Sequence, residues 1–145
     1  MKYAGHIVRK GLIAKLINAV SYDGSFVPVY GRVPDNATYP YIKIGNAEMG
    51  EIDQNQSTFV QTINTLIEVV TRFDSDTGGV TESDIVTNLV TQLIRTRSAG
   101  YIDLSADGFN VYTQTIGFIN KIEEAENDHY YYRSIINIDI RVEQV

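Results

Sequence analysis

At 145 residues, with a net charge of −6 and no cysteine, the chain is sized for one domain spanning 1–145. That composition excludes a disulfide scaffold and a thiolate metal site. The acidic balance also argues against a protein built to grip nucleic-acid phosphates. No run of about 18 apolar residues marks a membrane span, and the N-terminal segment has no signal-peptide core.

From His6 to Val20, the residues Ile7, Val8, Leu12, Ile13, Leu16, Ile17 and Val20 fall at three- and four-residue spacings. That periodicity predicts a helix packed on one face, which Gly11 weakens and the Tyr22-Asp23-Gly24-Ser25 cluster ends. Phe26 to Arg32 reads as a short edge strand, because Pro28 cannot donate to a ladder. Two prolines then bracket a polar turn in Val33-Pro34-Asp35-Asn36-Ala37-Thr38-Tyr39-Pro40, and Tyr41 to Asn46 reads as a strand entering the sheet.

Met49 to Thr58 is polar and acidic and reads as a long mobile hairpin loop. A long strand follows over Val60 to Phe73, with Ile63, Ile67, Val69 and Phe73 opposite Asn64, Glu68 and Arg72. Asp74 to Gly79 is turn chemistry, and Thr81 three residues before Asp84 resembles a capping box. The pairs Ile85/Val86, Leu89/Val90 and Leu93/Ile94 predict a helix from Glu82 to Arg97, closed by Gly100.

Two strands end the pattern. Tyr112, Ile116, Phe118 and Ile122 alternate with Thr113, Thr115 and Lys121 in the first; Ile136, Ile138, Ile140 and Val142 alternate with polar residues in the second. Glu123 to Asp128 between them reads as an acidic turn. Together these elements predict an α+β fold: a mostly antiparallel sheet with two main helices packed on one face and a long hairpin loop.

The segment V-P-x-x-A-x-Y-P-Y-I-x-I-G at Val33 to Gly45 gives this order a likeness. With the long strand ending Glu68-Val69-Val70-Thr71-Arg72-Phe73 and the Gly78-Gly79 turn before a helix, the chain resembles the tail-completion (tail-terminator) family of long-tailed bacteriophages. The acidic Phe73-Asp74-Ser75-Asp76 departs from the longer basic turn of that family. The resemblance implies a structural part of the virion neck, assembled in the host cytoplasm. It implies a hexameric ring that caps the head-proximal end of the tail tube and ends tube polymerisation. Its partners would be copies of itself, the tail-tube protein and a head-completion protein, with DNA passing through the lumen and no membrane involved. It carries over no catalytic residue, cofactor or metal.

The residues themselves offer no nucleophile elbow, and His6 and His129 stand far apart in sequence. Ten tyrosines with no tryptophan suit half-wet contact surfaces. Tyr39, Tyr41, Tyr131 and Arg133, with Glu51, Asp53 and Gln54 of the polar loop, are therefore candidate interface residues. Glu123, Glu124 and Glu126 are candidates for an acidic lumen from which DNA is repelled. The rivals are another neck or head-completion component, and a small enzyme or ligand-binding domain whose site is assembled across subunits.

Overall fold

The computed structural model describes residues 3–54, 59–74, 79–94, 100–126 and 129–145, with the backbone alone for 51–54 and 74. The first helix, α1 (Gly5–Leu16), buries Ile7, Val8, Leu12 and Leu16. It ends four residues before Val20, because Ile17 turns extended and Asn18 takes a left-handed φ of 56°. A short polar side chain tolerates that conformation, and it breaks the helix although the apolar spacing continues. Gly11 is not a flaw here: a Cβ at that position would lie 2.7 Å from Leu104, which packs against the helix.

A small hairpin of β1 (Ser21–Tyr22) and β2 (Ser25–Phe26) turns at Asp23-Gly24, with φ of 52° and 80°. Positive φ at both central residues is the geometry that matches hairpin twist. The chain then enters a six-stranded sheet of β3 (Val29–Tyr30), β4 (Tyr41–Ile44), β5 (Glu48–Gln54), β6 (Phe59–Asp74), β7 (Phe109–Glu126) and β8 (His129–Gln144). Its order is β3-β4-β6-β8-β7, with β5 pairing β6 beyond the end of β4. All pairs are antiparallel except β3 with β4. The architecture is α+β.

Cross-strand register fixes which side chains share a face. Ile63, Thr65 and Ile67 of β6 stand opposite Ile140, Ile138 and Ile136 of β8, and all six are buried. The backbone N–H of Ala4, before α1, donates to Gln61 Oε1 in the same row of β6. The second helix, α2 (Val80–Ile94), sets the Ser83 hydroxyl 3.2 Å from that of Ser134 in the same row of β8. Val86, Val90 and Ile94 complete a core continuous with α1. Because α2 begins at Val80, Thr81 lies within its first turn and not at its cap. Arg95 and Arg97 lie outside the described residues.

Gln114 ties the far end of α2 to β7. Its Nε2 donates to the carbonyl of Ile94 at 3.0 Å, and its Oε1 accepts from the N–H of Ile102 at the same distance. These bonds satisfy backbone groups that burial would otherwise leave unpaired.

Two further sequence expectations fail. Met49 to Gln54 is not a loop: β5 covers it, with a bulge between Met49 and Ile52. Its pairing comes from backbone bonds to β6, so polar side chains conceal the strand; 55–58 lie outside the described residues. Glu123, Glu124 and Glu126 are not turn residues, since β7 runs through Glu126 and pairs with β8 to His129.

Candidate assembly surface

The sheet face away from the buried row carries the tyrosines. By register Tyr41, Val70 and Arg133 stand side by side, and the next row aligns Arg72, Tyr131 and Glu124. Tyr39 precedes β4 through a cis peptide to Pro40 and reaches both rows. Its ring lies 5.2 Å from that of Tyr41 and 6.0 Å from that of Tyr131. The Arg72 guanidinium sits over it at 4.5 Å, within cation–π range. Tyr30 packs edge-on against Tyr41 at 6.0 Å. Val70 is fully buried although it lies on this outward face.

Arg133 is the electrostatic centre of the patch. It meets Glu68 at 3.4 Å and Glu124 at 3.7 Å. Burial works against its charge, but Glu124 and Glu68 outweigh that cost and hold its pKa up. Burial, with Tyr39 adding, pushes the Tyr41 phenol above its ordinary value of 10.0, while Arg133 pulls the other way. The patch is a rigid aromatic surface with a paired charge at its middle, suited to packing against another protein.

Four of the seven candidate interface residues therefore converge: Tyr39, Tyr41, Tyr131 and Arg133. Glu51, Asp53 and Gln54 do not join them. Their backbone lies on β5, where Asp53 pairs with Val60, whereas Tyr41 pairs with Val70. Ten residues of β6 separate those points, roughly 33 Å along the strand. The three acidic candidates also divide: Glu124 joins Arg133, while Glu123 pairs with Tyr132 and projects to the opposite face. Sequence alone missed Glu68, Arg72 and Tyr30; the two-residue spacing of Glu68, Val70 and Arg72 marks their shared face, but only register brings Tyr131 beside them.

Other polar groups cluster under α2. Lys121 Nζ donates to Ser134 Oγ at 2.8 Å and pairs with Asp84, beside a cavity of about 160 Å³ lined by Val80, Ser83 and Ile122. His6, Ser105 and Asp107 line an open depression near the 3-10 turn Ser105–Asp107. There the Ser105 hydroxyl donates to Asp103, whose carboxyl is held below its usual value by that bond. Among the described residues, no group of three His, Asp or Glu side chains converges as a metal site. No helix of the described residues is long and apolar enough to cross a membrane.

No protein-family model matches this chain, and no curated protein matches it. Among solved structures it is similar to a chain of the virion of a native gene transfer agent particle, with a TM-score of 0.67. The likeness covers 97% of this chain and 99% of the other at 10% identity. At that identity it is a likeness of fold.

Proposed function

We propose that this protein is a structural component of a phage-like virion and, within that class, the tail terminator. In this reading it forms a homo-oligomeric, hexameric ring at the head-proximal end of the tail tube. The ring ends tube polymerisation and meets tube protein on one side and a head-completion protein on the other. The two helices cover one face of the sheet, and the Tyr39–Tyr41–Tyr131 patch on the other face is a contact surface.

The observation that carries the reading is the end-to-end fold likeness to a chain of a virion particle. A fold alone does not assign a function; the half-buried aromatic patch and the Val33–Gly45 segment add to the support. The test is co-purification with a tail-tube protein from the same genome, followed by electron microscopy. Tubes of bounded length with this protein at one end are expected. Tubes of unchanged length with no bound protein would overturn the reading. A different neck component is the rival in the same class, and it would bind head proteins while leaving tubes uncapped.

A further inference from the structure

The two lateral ends of the sheet are unlike in a complementary way. At one end β7 pairs with β8 alone among the described strands, so its outer edge has no strand beside it. The first half of that edge is broken by register shifts at Val111/Thr113 and Ile116/Phe118, but Phe118 to Glu126 pairs in unbroken register. Every residue from Gly117 to Glu126 is exposed, including Phe118, Ile119 and Ile122. Bulges and charge are how proteins guard an edge against pairing. Here the bulges stop where the exposed apolar residues begin; past Lys121, which pairs with Asp84, the charges are of one sign: Glu123, Glu124 (3.7 Å from Arg133) and Glu126.

At the opposite end, β3 is the outer strand. Arg9 and Lys10 of α1, with Arg32 just past β3, line a groove of about 540 Å³ that also holds His6 and Ile13. Arg9 is fixed by the carbonyls of Gly45 and Ile44, at 2.7 and 3.2 Å. Carbonyl partners are neutral, so its charge stays available. Arg32 and Lys10 are exposed, and the Asp107 carboxylate is 3.9 Å from Lys10.

We infer that the distal edge of β7 in one copy docks at the α1/β3 end of a second copy, its glutamates against Arg9, Lys10 and Arg32. The contact joins two different surfaces, so it repeats head to tail and closes into a ring if the rotation between copies closes. It rests on the assembly reading above and supplies that reading with its lateral interface. Complementary charge steers the approach and fixes the partner end, while Phe118, Ile119 and Ile122 supply apolar area. Duplex DNA is the poorer occupant of the groove, because three cations beside Asp107 on a chain of net charge −6 give little phosphate neutralisation.

Charge exchange tests this on the full chain by sedimentation. The expected result is that E123K/E124K/E126K and K10E/R32E each self-associate at least about tenfold more weakly than wild type. An equimolar mixture of the two, and a chain carrying all five changes, should regain association, because each lysine edge then finds an acidic groove. Circular dichroism of each variant reports folding, and the mixture guards against a trivial loss. Wild-type association left unchanged by both variants, or failure of the mixture to recover, would overturn the inference while leaving the tube-capping reading intact. A wild type that stays monomeric at about millimolar concentration overturns it as well. So does DNA binding that only K10E/R32E loses while self-association is unchanged.

Discussion

Strands β7 and β8 pass through two environments along one ladder that two bulges interrupt. Between Ser134 and Val142, β8 alternates strictly, and Ile136, Ile138, Ile140 and Val142 are buried in the core cluster to which both helices contribute. Across the hairpin, Phe118 to Glu126 of β7 is paired in unbroken register yet exposed at every position. The difference shows that backbone pairing makes a strand and burial of side chains makes it stabilising. The covered half carries the fold; the uncovered half is available for contacts with other chains.

Substitutions in the two halves should separate these roles. Ile138→Ala removes a fully buried side chain from the covered half and should cost roughly 2–5 kcal/mol in denaturant unfolding. A loss below about 1 kcal/mol would mean that the buried row does not carry the fold. Gln114→Leu should cost about 2–3 kcal/mol, since the Ile94 carbonyl and the Ile102 N–H both lose a buried partner. Hydrogen exchange in that variant should rise first at the end of α2.

Tyr41 sharpens the comparison on the outward face. Its folded-state pKa stands above the unfolded value of 10.0, chiefly through burial. Its contribution to stability is therefore complete below about pH 10 and is lost as the pH rises through the folded value. Tyr22, Tyr112 and Tyr132 are also shifted upward, so spectrophotometric titration should find the late-ionising phenols reduced by one in Tyr41→Phe, and the alkaline loss of stability should shrink with it. The smallest effect belongs to the exposed half: Ile122→Ala should change stability by less than about 0.5 kcal/mol. A larger cost would place Ile122 in the core and break the division.

Much of the covered half is legible in the sequence, because burial on one face imposes a period. The alternation from Ile136 to Val142 and the four-residue repeats of Ile85/Val86 through Leu93/Ile94 mark β8 and α2 directly. The helix end at Leu16 was harder: Ile17 and Val20 keep the apolar spacing, while the left-handed turn at Asn18 overrides it. The uncovered elements leave no such imprint. The strand of Glu48 to Gln54 and the extension of β7 through Glu123, Glu124 and Glu126 are polar and are held by backbone bonds that any side chain permits. The bulge between Ile116 and Phe118 also sends those two residues to opposite faces, which simple alternation assigns to one.

The candidate surface was legible residue by residue but not as a group. Tyr39, Tyr41, Tyr131 and Arg133 stand out by composition, and only the pairing of β6 with both β4 and β8 brings them together. Glu124 belongs to that group through Arg133, while the position of Glu51, Asp53 and Gln54 on β5 follows from strand pairing that their polarity conceals.

Hydrogen exchange measured on the free protein and on assembled particles tests the central claim most directly. Amides of residues 117–126 that point away from β8 should exchange quickly in the free chain and slow at least about tenfold on assembly, while residues 134–142 stay protected in both. Equal exchange at 117–126 in the two states would contradict the account.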